Sequence, residues 1–215
     1  MDRNKILKFA LFIFLLLLFC QLFRIFMVKI VFFSFGFSFF NEQLAISLAI
    51  ITLTFLIFLI SKNENISLSL KPDFSKNSKN FYILFTLFTI IIFITTPFIT
   101  NSVNFGSIFI LIGGTLLFPI FEEILFRGYI WNKLEKEGFN KISIFIFTIL
   151  LFGFWHLGYI DSIMLRVPLN NLPFIIEMKV VTGFLIGVMV GLAKYKTDNI
   201  YLGLLIHILI NIFGR

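Results

Sequence analysis

Long, continuous runs of apolar residues, separated by short polar segments, make up most of this 215-residue chain. Several runs reach about 18 residues, the length at which an apolar stretch becomes a candidate for crossing a lipid bilayer as a helix. Apolar and polar residues do not alternate along these runs, as they do in transmembrane β-barrels. The pattern therefore predicts an all-α fold, a polytopic bundle of about seven transmembrane helices.

The polar interruptions set the boundaries of the predicted spans. The spans lie at about 6–23, 44–60, 81–100, 106–134, 142–160, 175–193 and 200–213. The Phe-rich segment 24–41 is expected at the membrane interface, and 61–80 and 161–173 are expected to be polar connections. Pro119 is expected to kink the fourth span, because proline removes a backbone donor from a helix.

Composition and charge agree with a membrane protein. The chain is 59% hydrophobic, with a mean hydropathy of +1.02. Of its 18 Lys and Arg residues, 12 fall on the predicted side of the N-terminus and 5 on the opposite side, with Arg127 inside a span. This asymmetry predicts a cell-membrane protein with a cytoplasmic N-terminus, and it assigns the formal charge of +7 to loops beside the lipid bilayer rather than to nucleic-acid binding. The single cysteine, Cys20, excludes an internal disulfide and a cysteine-based metal site.

Three charged residues interrupt the apolar stretch 108–131. They are Glu122, Glu123 and Arg127, and charges at membrane depth are costly enough to indicate function. On a helix Glu123 and Arg127 share a face and are expected to pair, whereas Glu122 lies about 100° around the axis. Glu122 is therefore expected to face a cavity as a general base. The alternative is a purely structural ion cluster between helices.

Both histidines of the chain also fall inside apolar spans. His156 lies in the fifth span, and His207 lies in the seventh with Asn211 one turn further on. Counted from the turn between spans four and five, Glu122 and His156 both lie roughly 20–30 Å along their helices, so they are nearly level. The sequence therefore predicts one intramembrane site, although each of these polar residues would also suit an interhelical hydrogen bond.

The sixth span carries glycines at four-residue intervals. Gly183, Gly187 and Gly191 repeat a small-residue spacing that lets helices approach closely. This repeat predicts helix packing and no chemistry.

The charged and polar residues together resemble a known family. The motifs, in chain order, are Glu122-Glu123-x-x-x-Arg127, Phe152-x-x-x-His156 and His207-x-x-x-Asn211. Their order and spacing resemble the three motifs of the CPBP intramembrane proteases, which comprise the CAAX-processing and bacteriocin-processing (Abi) proteins and relatives of the Ras-converting endopeptidase. The resemblance divides the chain into N-terminal helices of undiagnostic sequence (residues 1–105) and a catalytic helical core (residues 106–215).

The resemblance implies hydrolysis of a peptide bond within the membrane. It implies that Glu122 is the base that activates water, that His156 helps to hold this water, and that His207 and Asn211 stabilise the oxyanion. The predicted pair of Glu123 and the arginine four residues later would shape the site. The implied substrate is a peptide or membrane protein, with a CAAX-like tail, a bacteriocin-like leader or a membrane-protein segment as alternatives.

A metal-dependent mechanism is the alternative within the same family, which has also been described as metalloproteases. Glu122, His156 and His207 would supply the carboxylate and imidazole ligands that suit catalytic Zn²⁺. The sequence contains no His-Glu-x-x-His motif. We favour the metal-free glutamate mechanism and keep Zn²⁺ as an alternative cofactor.

Two other functional classes remain open. A catalytically silent scaffold or bacteriocin-immunity protein would keep the fold without hydrolysis. A proton-coupled transporter would also place acidic residues and histidines inside spans, but it predicts internal symmetry, and the motif at residues 122–127 has no second copy.

Overall fold

The computed structural model describes residues 3–72, 74 and 79–214. This part of the chain is helical throughout its regular structure and contains no strand, which confirms the predicted all-α fold class. The helices are α1 (Arg3–Phe35), α2 (Phe39–Asn63), α3 (Lys79–Ile99), α4 (Phe105–Lys136), α5 (Lys141–Met164), α6 (Leu172–Thr197) and α7 (Tyr201–Phe213). Helices α1 to α6 are long and apolar enough to cross a membrane, and α7 is a shorter apolar helix.

The segment 24–41 between the first two predicted spans is mostly helical, so the predicted end of the first span and the predicted start of the second are wrong. Helix α1 continues to Phe35, and α2 begins only four residues later, at Phe39. The charge of Arg24 does not end α1, because its guanidinium donates to the Asp161 carboxylate of α5 at 2.6 Å and 3.1 Å. The chain reverses only at Gly36, where φ is +78°, a conformation that glycine adopts without strain.

Helix α4 is irregular on both sides of Pro119. π-Helical turns occupy Gly113–Leu117 and Ile124–Ile130, on either side of an α-helical turn at Phe118–Glu123. Pro119 lies inside α4, where the first π-helical turn gives way to this α-helical turn, so the residue without a backbone N–H coincides with a change in the hydrogen-bond pattern. The distortion that we predicted at Pro119 therefore takes the form of π-helical turns, which are frequent at functional sites.

Three connections meet at one end of the bundle, which we call the lysine-rich end. They are the α2–α3 connection, the α4–α5 turn at 137–140 and the α6–α7 turn at 198–200. The Ile200 amide donates to the Ser69 carbonyl at 3.0 Å, and Lys133 and Lys141 form ion pairs with Glu64 and Asp198. Residues 73 and 75–78 of the predicted connection 61–80 lie outside the described part of the chain.

The opposite end of the bundle, which we call the cavity end, carries the α1–α2 turn, the α5–α6 loop and residue 214. Glu42 of α2 is 1% exposed and pairs with Arg166, which follows α5, at 2.6 Å. Ser162 of α5 also donates to Glu42. These polar contacts join α2 to the end of α5 and position the elements that surround the cavity.

Candidate active site

A cavity of about 540 Å³ lies between α2, α4, α5, α6 and α7. Its wall contains all four residues to which the sequence assigned catalytic roles, and these come from three helices. They are Glu122, His156, His207 and Asn211. The structure thus brings the four side chains together, and their individual roles in catalysis stay predictions.

Glu122 is 3% exposed and is held by two donors from α5. Its Oε1 accepts hydrogen bonds from Trp155 Nε1 at 2.9 Å and from Tyr159 Oη at 3.0 Å. Its Oε2 lies 3.6 Å from Nε2 of His207. One oxygen of Glu122 is therefore fixed by α5, whereas the other oxygen is directed towards His207.

Glu123 forms the predicted pair with Arg127, and both side chains are fully buried. Arg127 Nη1 lies 3.3 Å from Glu123 Oε1, and Nη2 donates to the Gly187 carbonyl of α6 at 3.1 Å. The guanidinium carbon also lies 4.3 Å from the centre of the Phe152 ring. The charge of Arg127 is thus compensated by a carboxylate, a carbonyl and a ring face, whereas its buried Nε has no hydrogen-bond partner among the described residues.

His207 lies between the two glutamates. Its Nδ1 is 3.0 Å from Glu123 Oε1, and its Nε2 is the nitrogen near Glu122. The Glu123 carboxylate therefore orients the ring, and the Glu122 carboxylate lies on the other side of the ring, at the cavity. One turn further along α7, Asn211 Nδ2 donates to the Gly114 carbonyl of the first π-helical turn at 3.1 Å.

His156 is oriented by the backbone of its own helix. Its Nδ1 lies 2.8 Å from the Phe152 carbonyl oxygen, which can only accept a hydrogen bond. Nδ1 therefore carries the proton, and Nε2 of a neutral ring is left as an acceptor. The ring needs the glycine at 183, because a Cβ built there would lie 2.6 Å from Nδ1. The missing side chain of Gly183 therefore makes room for a cavity residue of the neighbouring helix.

Sequence reasoning missed four residues around the cavity. Trp155 and Tyr159 donate to Glu122, Gln43 contributes to the wall from α2, and Lys179 contributes from α6. The position of Tyr159, three residues after His156 and four after Trp155, was a usable signal, since residues three and four apart on a helix are neighbours. Nothing in the sequence of α2 singles out Gln43.

The candidate metal ligands do not fit a metal site as they are arranged. In the described part of the chain, no three His, Cys, Asp or Glu side chains are placed to hold one ion. Nδ1 of His156 and Nδ1 of His207 are occupied by the Phe152 carbonyl and the Glu123 carboxylate, respectively, so only the two Nε2 atoms could bind an ion. We therefore derive no catalytic step through a metal.

Comparison with known proteins agrees with the motifs. The family model described as "Type II CAAX prenyl endopeptidase Rce1-like" matches residues 104–213, which is just over half of the chain. No curated protein and no solved structure matches the chain. The match covers all three motifs and confirms the resemblance to the CPBP proteases. This multi-pass helical membrane protein belongs to the Rce1-like family of CAAX endopeptidases.

Proposed function

We propose that this protein is an intramembrane endopeptidase in which Glu122 activates the water that attacks a peptide bond. The observation that carries the proposal is the placement of the Glu122 carboxylate inside the bundle, 3.6 Å from His207 and in the wall of a cavity that also contains His156 and Asn211. A carboxylate and imidazoles around one cavity are the groups that general acid–base hydrolysis requires. The family assignment supports protease activity.

The two oxygens of Glu122 take different parts in the proposed reaction. Trp155 and Tyr159 hold Oε1, so the carboxylate keeps one orientation while Oε2 faces the cavity. Oε2 accepts a proton from water as the water oxygen forms its bond to the carbonyl carbon of the peptide. Glu122 then returns this proton to the amide nitrogen as the C–N bond breaks. The products are a carboxylic acid and an amine, and Glu122 is regenerated.

His156 is assigned to the same water. Because Nδ1 donates to the Phe152 carbonyl, Nε2 is free to accept the second hydrogen of the water. The imidazole thus directs a lone pair of the water oxygen towards the substrate. A reactant that is held in the right orientation reacts faster, because the entropy of orienting it is lost before the reaction step.

His207 and Asn211 are assigned to the oxygen of the scissile carbonyl. Asn211 uses one amide hydrogen on the Gly114 carbonyl, and its second hydrogen remains for an oxyanion. His207 is anchored through Nδ1 to Glu123, which is itself anchored by Arg127, so its Nε2 is held at the cavity. Because Nδ1 carries the hydrogen that Glu123 accepts, Nε2 donates to the oxyanion from the doubly protonated ring, and this is the form assigned to His207 in the reaction. Donors that are fixed before the reaction stabilise developing negative charge most effectively.

The proposed substrate is a peptide or a membrane-anchored protein segment, with CAAX-like tails and bacteriocin-like leaders among the candidates. A cavity of about 540 Å³ lies within the usual range for ligand pockets. We also propose that the protein lies in the cell membrane with a cytoplasmic N-terminus. The support is the 12-to-5 distribution of Lys and Arg between the two ends.

Peptidase profiling of the purified protein tests this function. The wild type and a Glu122→Ala control are incubated with a diverse peptide mixture, and new termini are identified by mass spectrometry. We expect cleavage products that the control lacks. Identical product sets, or no cleavage by the wild type, would contradict the proposal.

Metal analysis of the same samples separates the two mechanisms. The glutamate mechanism predicts activity in protein that contains no stoichiometric zinc. Stoichiometric zinc that is lost in both His156→Ala and His207→Ala would instead support the metalloprotease mechanism.

A further inference from the structure

The cavity lies at one end of the bundle, as the positions of its wall residues show. In α2, α4 and α6 these residues lie in the N-terminal half or, for Glu122 and Ile186, just past the midpoint, and in α5 and α7 they lie from the midpoint to the C-terminal end. Because the helices run alternately up and down, all of these halves belong to the cavity end. Three wall residues, Arg166, Lys179 and Gly214, are exposed there, so the mouth of the cavity is at this end.

The half of α4 beyond the site is closed by packed side chains. They are Leu125, Phe126, Tyr129, Ile130, Trp131 and Leu134, each no more than 2% exposed. The α2–α3 connection adds Ile66 and Leu68, which are also buried. The Leu68 carbonyl lies 3.2 Å from the position of a Cβ built at Gly128, so this connection packs directly against α4. Among the described residues, packed side chains therefore separate Glu122 from the lysine-rich end.

Basic residues are more numerous at the end of the bundle opposite the cavity. Among the described side chains, the lysine-rich end carries Lys8, Lys62, Lys71, Lys79, Lys133, Lys136, Lys141, Lys194 and Lys196. The cavity end carries four basic residues, Arg24, Lys29, Arg166 and Lys179. Two of these four are paired with carboxylates, Arg24 with Asp161 and Arg166 with Glu42. Basic residues near span ends are enriched on the cytoplasmic side, so the lysine-rich end is the cytoplasmic end.

We infer that the active-site cavity opens to the external face of the membrane and is sealed towards the cytoplasm. The inference also narrows the class of substrate, a step that rests on the proposed function. The substrate is a polypeptide segment presented at the external face, rather than a tail that reaches the site from the cytoplasm. Access to water for hydrolysis comes from the same face.

Cysteine labelling in intact cells tests the direction of opening without requiring any activity. In a Cys20→Ser background, single cysteines are placed at Thr182 in the cavity wall, at Asn170 in the α5–α6 loop and at Glu135 near the lysine-rich end. All three positions are exposed, and none has been assigned a catalytic role. Cells are treated with a membrane-impermeant maleimide, and the residual thiols are counted after denaturation.

The expected result is that the Thr182→Cys and Asn170→Cys variants are blocked in intact cells, whereas Glu135→Cys is blocked only after permeabilisation. The inference would be overturned if Thr182→Cys, like Glu135→Cys, were blocked only after permeabilisation. A Thr182→Cys variant that reacts only in denaturant would also overturn it, because the cavity would then be closed to both faces.

A second arm follows cleavage in vesicles. A peptide substrate found by profiling is added outside right-side-out and inverted vesicles, with Glu122→Gln vesicles as the blank. Cleavage in right-side-out vesicles alone is expected, and cleavage in inverted vesicles alone would contradict the external opening. If no peptide is cleaved in either preparation, the proposed function fails while the labelling result still decides the direction of the cavity.

Discussion

The cavity end and the lysine-rich end of the bundle differ in what their helices bury: polar side chains line a cavity at one end, and apolar side chains pack closely at the other. Towards the cavity end, polar side chains such as Glu122 and His156 are held by one atom and leave another at the cavity wall. Towards the lysine-rich end, α4 contributes fully packed apolar side chains such as Phe126 and Trp131. The boundary between these regions runs through two adjacent residues, Glu122 and Glu123. Glu122 lines the cavity, whereas Glu123, the next residue, points into the bundle and pairs with Arg127.

Loss of the Arg127 charge is expected to have the largest effect on the closed region. Arg127→Met leaves the buried Glu123 carboxylate without its cationic partner, so we expect the free energy of unfolding to fall by roughly 3–5 kcal/mol. Unfolding in detergent by denaturant measures this change. Lys136→Met serves as the control, because Lys136 is exposed and its replacement should cost about 1 kcal/mol or less. Equal losses in both variants would refute a structural role specific to Arg127.

Removal of the Asn211 amide tests the cavity region. Asn211→Ala should lower turnover by about 10²–10³-fold, the usual loss for one oxyanion donor, while the protein still folds. The measurement is kcat on a peptide substrate, with Asn170→Ala in the exposed α5–α6 loop as control. Near-normal kcat in Asn211→Ala would remove this residue from the site.

A matched pair of glycine substitutions on α6 tests the position of the His156 ring. A Cβ at Gly183 would lie 2.6 Å from His156 Nδ1, whereas a Cβ at Gly187 meets its nearest atom, in Phe152, at 3.5 Å. Gly183→Ala must therefore displace the ring, and a displacement near 1 Å costs about 10²-fold in rate. Gly187→Ala should keep nearly full activity. The idea fails if both variants cleave at the same rate.

The smallest effect is expected for one of the two donors on Glu122. Tyr159→Phe removes the hydrogen bond at 3.0 Å, but Trp155 continues to donate to the same oxygen. A hydrogen bond to a charged group contributes roughly 1.5–3 kcal/mol, and with Trp155 compensating we expect a loss of about tenfold in kcat. Tyr195→Phe, outside the cavity wall, is the matched control. A loss as large as that of Glu122→Gln would assign Tyr159 a direct role instead.

The sequence predicts those parts of the molecule that depend on spacing along one helix. Run length predicts the helices, and i,i+4 spacing predicts the pair of Glu123 and Arg127, which the structure contains. Contacts between helices are harder to predict, because a helix that is apolar on every side has no stripe that marks its inward face. The donation from Trp155 to Glu122 depends on how α5 is rotated about its axis. The room that Gly183 makes for His156 depends on how closely α6 approaches.

The end of α1 was missed for a different reason. Arg24 was expected to end the span because a charge was expected to leave the bilayer. Its partner Asp161 is 137 residues away in the chain, so no local pattern could indicate that this charge is compensated. Long-range pairing of this kind appears only when the helices are assembled.

The central claim is that Glu122 is the base and Glu123 is structural, and one comparison of Glu122→Gln with the wild type tests it most directly. Both proteins are purified, their unfolding is measured, and kcat is determined on the same peptide. The account predicts that Glu122→Gln unfolds like the wild type and loses at least about 10²–10⁴-fold in kcat, because a general base contributes on that scale. A folded Glu122→Gln protein that cleaves at a near-normal rate would contradict it.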